Sequence, residues 1–455
     1  MGPKTTLSFF LLALLFVVGG WYILTVEEPP EETDTPEAKV EPDLEDGPEA
    51  VVKTSPSDGR NFVIWLSIDG LHVPDLETTD TPFFDFMKTH GAYSLQHRVV
   101  FPSVTFASHV SQATGVFPGQ HGIVANRFYD HETGRIYSYP GQASLLNAEP
   151  IWNTAQRQGV RVAVSDWTLS HQQQGPDATS YFGERYERGL RDRERLWQVL
   201  DIWREDRSPE TLRLLMGYAV GPDSPGHAYG PGSPEVLAAI QRVDGILLEF
   251  YDTAVAFFET FREEGDQLIF VVSSDHGMSP VHSLVHPGHL TGLDGEEGVV
   301  AVHSANLLHL YFVDANQRET LSESVREAVD RYDFATVFTR AQAEERWQYG
   351  HPSRTGDLIV VLETGYTFSR RPDGVTQGAE EGGGPVGMHG YDPADDPNMN
   401  TAVFFLRYPE KEGKGDLGLI DSRQLHPTVA DLLGVEPSAE ATVEPLILFY
   451  KNHLE

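Results

Sequence analysis

Phe62-Val63-Ile64-Trp65-Leu66-Ser67-Ile68, running straight into Asp69-Gly70, is the stretch on which the fold turns. An almost unbroken apolar run suits a parallel strand buried on both faces, and a carboxylate beside a glycine suits the loop into which such a strand opens. Similar runs recur at Val160 to Val164, Leu212 to Tyr218, Leu268 to Ser273, Leu307 to Phe312, Leu358 to Leu362 and Val403 to Leu406. Helical patterns lie between several of them. The clearest spans Pro234 to Phe261, with Ser233 as N-cap, Pro234 at the first helical position, an apolar stripe through Leu237, Ile240, Leu247, Phe250 and Phe257, and a possible bend at Gly245. Strands alternating with helices predict α/β layers, a central and mostly parallel sheet flanked by helices, with ligands at the carboxyl ends of the strands. The region from about Leu284 to Pro385 reads as a smaller inserted lobe, and the Gly- and Glu-rich segment Asp373 to Gly387 as a mobile loop.

Composition narrows the function. Among 455 residues, 40% are hydrophobic, ample for a large core, while 33 Lys and Arg stand against 68 Asp and Glu, a formal net charge of -35. Such a surface repels a nucleic-acid polymer, so no polymer partner is expected and any phosphate must be received locally. The chain has no cysteine, which excludes disulfides, thiolate metal sites and cysteine nucleophiles.

At the start of the chain, Thr5 to Val26 is almost wholly apolar and long enough to cross a bilayer core of ~30 Å. A cleaved signal peptide is the competing reading, but Gly19-Gly20 leads into Trp21-Tyr22 without a clear small-x-small site, so residues 1–26 are expected to be an uncleaved signal anchor. Lys4 on one side and Glu27, Glu28, Glu31 and Glu32 on the other orient the remainder outward, into the periplasm or the extracellular space. Residues 27–58, dense in Glu, Asp and Pro, read as a solvated linker, and residues 59–449 as the catalytic domain.

Seven residues of three kinds carry the chemistry: Asp69, Thr105, Asp223, His227, Asp275, His276 and His389. Asp275-His276 follows the apolar run ending at Ser274. Pro222-Asp223-Ser224-Pro225-Gly226-His227 sets a carboxylate and an imidazole four residues apart, with Pro and Gly expected to shape a loop instead of a helix. His389 lies in Gly387-Met388-His389-Gly390-Tyr391. Taken singly, each has an ordinary explanation: a helix cap with a surface histidine, an Asx turn, a solvated loop histidine. Together they offer oxygen and nitrogen ligands for divalent metals, of a mixture that suits zinc better than magnesium. Thr105, just before a helical pattern through Val110 and Ala113, is either an N-cap or a nucleophile at a helix start that would also attract a phosphate. His109 reads as a buried structural or supporting group. The set His282, His286 and His289 is interrupted by Pro280 and Pro287 and is not taken as a metal site.

In order along the chain, Asp69-Gly70, Pro102 to His109, Gly115 through Pro118 to Gly122 and Asn126, Pro222 to Pro231, Asp275 to Met278 and His389 to Tyr391 resemble the motifs of the type I phosphodiesterase and nucleotide pyrophosphatase family, within the alkaline phosphatase superfamily. The resemblance covers roughly Phe62 to Glu436. It implies an alkaline phosphatase-like α/β core holding two Zn2+ per chain, one on Asp69, Thr105, Asp275 and His276, the other on Asp223, His227 and His389. It further implies attack by Thr105 on a small phosphodiester or nucleotide pyrophosphate, a phosphothreonine intermediate, and retention at phosphorus. Asn126 would hydrogen-bond a non-bridging phosphoryl oxygen, although a loop-capping Asn fits the sequence equally, and Phe106 and Tyr218 would flank a base, with core packing as the other reading.

The chain departs from the family pattern at Val104, where a lysine is common, and at Ala107-Ser108, where Pro-Asn is usual. Those positions bear on substrate contact more than on metal binding. The competing activities are a phosphomonoesterase or phosphonoacetate hydrolase of the same superfamily, and an anchored binding protein without turnover. A sulfatase is disfavoured by the lack of cysteine and of a Ser/Thr-x-Pro-x-Arg segment.

Overall fold

The structure is a computed structural model that describes residues 59–409 and 413–449. The expected anchor at 1–26 and linker at 27–58 lie outside the described residues, and no described helix is long and apolar enough to cross a membrane.

The first strand, Asn61–Ile68, sits in the middle of a nine-stranded sheet, paired in parallel with Gln267–Ser274 on one side and Leu214–Ala219 on the other. Beyond Leu214–Ala219 follow Val162–Val164 and Tyr181–Phe182, also parallel. Beyond Gln267–Ser274, the order continues through Thr401–Tyr408, which runs antiparallel to it, to Ala92–Arg98, which carries Gly415–Asp416 and Leu419–Asp421 at its edge.

Alternation along the first strand explains the unbroken apolar run. Phe62, Ile64, Leu66 and Ile68 enter one core with residues of the helices Pro82–His90, Asp192–Glu205 and Pro234–Phe258. Val63 and Trp65 enter a second core, on the other face, with the helices Ile151–Arg157 and Leu425–Leu433. Side chains at period two thus find an apolar layer on either side, and neither face tolerates a charge. The long helix starts as expected, Ser233 accepting from the Val236 N–H, runs uninterrupted through Gly245 and ends at Phe258.

The inserted lobe has its own core. Val299–Ser304, Leu307–Phe312, Leu358–Leu362 and Ala335–Thr339 form an antiparallel sheet in that order, packed on Val325 and Val329 of the helix Arg318–Val329. The segment expected as a mobile loop, Asp373 to Gly387, is more regular than that. It carries the strand Thr376–Gly378, antiparallel to Ser283–Val285, and ends in Gly387–Met388, paired with Ser279–Pro280. Backbone pairing, with Val375 packed on the lobe core and Ala379 buried against Val281 and Leu284, orders a segment whose glycine content hides it from a hydrophobic reading.

Candidate active site

Parallel pairing brings the carboxylates together. Ile68 stands opposite both Ala219 and Ser274, so the strands end level and Asp69 and Asp275 emerge as neighbours. Gly70 has φ of +70, and a Cβ there would lie 2.9 Å from Asp223 Cα and Cβ, so a side chain would push Asp223 away from the other two. Asp223 itself opens the helix Asp223–Tyr229, where a loop was expected. The helix is possible because Pro225 falls in the first turn, where no intrahelical N–H is needed. It places Asp223 and His227 on one face, with His227 Nε2 3.3 Å from Asp223 Oδ1.

Each histidine of the set is held by a backbone carbonyl. Nδ1 of His276 bonds the oxygen of Gly277 at 3.0 Å, that of His389 the oxygen of Ser103 at 3.0 Å, and that of His227 the oxygen of Gly387 at 2.9 Å. A carbonyl only accepts, so Nδ1 carries the proton and Nε2 is turned toward the carboxylates. His276 Nε2 lies 3.3 Å from Asp69 Oδ1 and 3.2 Å from Asp275 Oδ2, and His389 Nε2 lies 3.7 Å from Asp223 Oδ1. Among the buried carboxylate oxygens of the described residues, Asp69 Oδ1 has no hydrogen-bond donor, while Asp223 Oδ1 and Asp275 Oδ2 have only the longer contacts of 3.3 Å to His227 Nε2 and His109 Nδ1. In the neutral rings of His276 and His389, lone pairs therefore face lone pairs, an arrangement that calls for a cation between them.

The spacing fits one. Zinc bonds of about 2.0–2.2 Å in tetrahedral geometry separate ligand atoms by roughly 3.3–3.6 Å. Two groups of ligand atoms lie within 4.8 Å of one another, Asp69 with Asp275 and His276, and Asp223 with His276 and His389. His276 and His389 stack at 3.5 Å between ring centroids, which joins the two groups into one cluster. The carbonyl tethers are the outer contacts that orient metal-ligating imidazoles.

The protonation energetics agree. Burial, with Asp275 and Asp223 nearby, holds Asp69 well above the usual carboxylate range, and burial, with Asp223 nearby, pushes Asp275 up to about 8. Burial works in the same direction on Asp223, but His227, His389 and His276 outweigh it and hold that group well below its usual range. Burial would lower His227, yet the Asp223 carboxylate lifts it to about 9, so without metal these two form an ion pair. Burial lowers His389 to about 4, and burial together with His389 lowers His276 well below its usual value. A divalent cation would replace protons that the cluster otherwise has to borrow.

Thr105 is the first residue of the helix Thr105–Thr114, with Val104 at the cap position, so its hydroxyl is not the N-cap. Oγ1 instead lies 3.4 Å from His276 Nε2. His109, one turn on, is fully buried: Nδ1 meets the Thr105 carbonyl at 2.8 Å and Asp275 Oδ2 at 3.3 Å, and Nε2 meets Ser67 Oγ at 2.8 Å. It ties the helix start to the sheet. Asn126 Oδ1 accepts the Phe106 N–H at 3.0 Å, and its side-chain amide, which also meets the Tyr139 hydroxyl, faces the cavity.

Phe106 and Asn126, together with Asp69, Thr105 and Asp223, border a cavity of about 540 Å3. Tyr218 lines it, but its hydroxyl bonds Asp69 Oδ2 and its ring packs edge-on against His109. Phe106 also lines it and packs edge-on against Tyr139, with ring centroids 5.6 Å apart. Tyr139 and Tyr186 both border the cavity and were not found from sequence. Both sit in irregular segments, and no hydrophobic periodicity marks them.

Comparison with known proteins follows the same lines. The family model described as type I phosphodiesterase / nucleotide pyrophosphatase matches residues 63–392. An uncharacterized pyrophosphatase/phosphodiesterase of Schizosaccharomyces pombe is 28% identical over 345 residues, 72% of this chain and 68% of that protein. Human ectonucleotide pyrophosphatase/phosphodiesterase family member 1 is 32% identical over 218 residues, 47% of this chain and 23% of that protein. Venom phosphodiesterase 2 of Crotalus adamanteus is 29% identical over 395 residues, 83% of this chain and 46% of that protein, so the chain spans less than half the length of the human and snake relatives. Among solved structures, human ectonucleotide pyrophosphatase/phosphodiesterase 5 shares the fold with a TM-score of 0.70 at 24% identity, covering 83% of this chain and 96% of that one. The murine protein of that name, an inactive threonine-to-alanine variant in complex with AMP, gives 0.69 at 22% identity with the same coverage.

Proposed function

The chain belongs to the type I phosphodiesterase / nucleotide pyrophosphatase family, and from that premise we propose that it hydrolyses phosphodiester or pyrophosphate bonds of nucleotides or related small molecules, with Thr105 as nucleophile and two Zn2+ as cofactors. The observation that carries this reading is the convergence of His276 and His389 Nε2 on buried carboxylate oxygens, with Thr105 Oγ1 3.4 Å from His276 Nε2.

Asp69, Asp275 and His276 would hold one ion beside Thr105, and Asp223, His227 and His389 the other, with His276 near both. Ions held there would lower the pKa of the Thr105 hydroxyl and take up charge on the phosphoryl and leaving oxygens. Thr105 Oγ attacks phosphorus in line, the bond to the leaving oxygen breaks, and the product half remains as a phosphothreonine diester that water hydrolyses in a second displacement. The helix Thr105–Thr114 directs its positive end at the phosphoryl group. Asn126, its oxygen fixed by the Phe106 N–H, turns its amide toward a non-bridging oxygen. The AMP complex of the murine relative supports a nucleotide as the group retained. The names of the human and snake relatives support a site of action outside the cytoplasm, which agrees with residues 1–26 acting as a membrane anchor.

The test compares turnover of bis(p-nitrophenyl) phosphate and of the p-nitrophenyl ester of thymidine 5′-monophosphate with that of p-nitrophenyl phosphate, using the full chain loaded with zinc. Diester turnover should dominate. Faster turnover of the monoester assigns the protein to the phosphomonoesterases, and turnover of none of the three leaves a binding protein.

A further inference from the structure

The cavity is acidic at its floor and carries unspent positive charge on its rim. Asp69 and Asp223 border it at one end, while Arg185 and Arg188 border it from the segment 184–188. In a chain of net charge -35, many arginines elsewhere are paired with carboxylates, as Arg60 is with Asp266 at 2.6 Å, Arg346 with Asp395 at 2.7 Å and Arg354 with Asp130 at 2.9 Å. Arg185 and Arg188 are exposed and have no ion pair or hydrogen bond among the described residues.

These arginines are displayed on a fixed frame. Arg195, fully buried, bonds Asp166 through one nitrogen and donates from the other to the carbonyls of Glu187 at 2.9 Å and Leu190 at 3.5 Å. Its guanidinium also lies over the Tyr186 ring, 4.4 Å from the centroid. The C-terminal part of the rim segment is therefore tied down by one residue, and Asp166, which also borders the cavity, has its charge matched by Arg195. Tyr139 borders the same cavity: burial and the charges of Asp223 and Asp69 raise its hydroxyl, and a hydrogen bond with Asn126 and, less strongly, the charge of Arg188 oppose them. Glu184 adds one negative charge to the same rim, so the arginine pair does not attract anions broadly and has to act by direct contact.

Guanidinium groups offer planar forks of N–H donors that match phosphate oxygens. Resting on the hydrolase reading above, we infer that Arg185 and Arg188 form an anion subsite that receives a second phosphate group, remote from the one attacked, so that the preferred substrates are nucleotides carrying a phosphate beyond the scissile linkage. That group is either an ester on the nucleoside half or an extension of the phosphate chain. The two sources share one chemistry at the subsite and are separable by experiment.

Matched pairs separate them: NADP+ against NAD+ differ by a ribose phosphate, and ATP against ADP by a chain phosphate. The wild-type chain should favour the more phosphorylated member of at least one pair by about tenfold in kcat/KM at low ionic strength, and the preference should shrink as salt is raised. In the double variant R185Q/R188Q the ratio within that pair should fall toward one. Because each ratio is taken within one protein, a partly misfolded variant does not distort it. Equal rates for both pairs in the wild type, or a ratio that survives in the double variant, overturns the subsite. Absence of turnover on every diester, including the thymidine ester, would instead overturn the hydrolase reading on which the subsite rests.

Discussion

Removing metal should lower the melting temperature, by an amount that follows from the cluster. Ligand atoms of Asp69, Asp275 and His276, and of Asp223, His276 and His389, are gathered within 4.8 Å in the folded chain, whereas the unfolded chain disperses them over more than three hundred residues. A cation that binds only the folded state at a hundred times its Kd adds about 2.7 kcal/mol, so two sites add about 5 kcal/mol. The folded region of about 390 residues unfolds with an entropy of roughly 0.8 kcal/mol/K, which converts that figure to a shift of about 6 °C. Differential scanning fluorimetry of chelated and zinc-loaded protein measures it. The companion variant is Asp275→Asn, which keeps an oxygen to accept from the Gly70 N–H, now 3.0 Å away, and replaces a carboxyl that burial keeps largely protonated at neutral pH without metal. Its metal-free form should melt no lower than the metal-free wild type, while its response to zinc should be about halved. A wild type indifferent to chelator, or an asparagine variant that responds to zinc in full, would refute the cluster as a cation site.

Thr105→Ala should abolish turnover of diesters while retaining zinc by elemental analysis, and Thr105→Ser should keep measurable turnover; unchanged rates in the alanine variant would remove Thr105 from the reaction. In Gly387→Ala, the new Cβ would lie 2.2 Å from the Gly226 carbonyl oxygen, and Gly387 also supplies the carbonyl that holds His227, so denaturant melts should show a loss of about 2 kcal/mol or more together with weaker zinc binding. Acid should destabilise the fold through His426, which burial holds at about 4, with Nδ1 on the Ala113 carbonyl and Nε2 accepting the Ser438 N–H. The folded value is below the unfolded value of 6.5, so this contribution is intact above pH ~6.5, falls as pH drops toward 4, and amounts to about 3 kcal/mol. His426→Asn should remove that share of the slope of unfolding free energy against pH between 4 and 6.5; an unchanged slope would assign the acid sensitivity elsewhere.

What sequence made legible here is what repeats or ends. The strand from Phe62 to Ile68 is readable because both faces bury side chains, and Asp69 and Asp275 are readable because parallel strands in register end together. Loop-like chemistry misled at Pro222 to His227: Pro and Gly argue against a helix in general, but not when the Pro falls in its first turn. Tyr139, Tyr186, Arg185 and Arg188 come from irregular segments whose placement depends on tethers such as Arg195 to the Glu187 carbonyl, contacts distant from any local pattern. Tyr218 is legible as an aromatic at a strand end, but the bond of its hydroxyl to the buried Asp69 carboxylate is not, because it joins two strands distant in sequence.

The lobe between the last two parts of the ligand set raises the question of how its insertion leaves the cluster intact. Asp275 and His276 precede Ser279–Pro280, and His389 follows Gly387–Met388; these two short strands pair with each other, Gly387 opposite Pro280 and Met388 opposite Ser279. The chain therefore leaves for the lobe and returns from it through a single two-stranded ribbon, and His389 re-enters beside His276 wherever the intervening residues travel. A second tie, the Val386 N–H on the His227 carbonyl at 3.0 Å, fastens the same ribbon to the helix that carries Asp223. Lobe residues buttress the returning segment as well, Asn306 and Ala305 against Gly390 and the Tyr366 carbonyl accepting from the Tyr391 hydroxyl, but a break in the ribbon itself would separate His389 from His276 and His227 together.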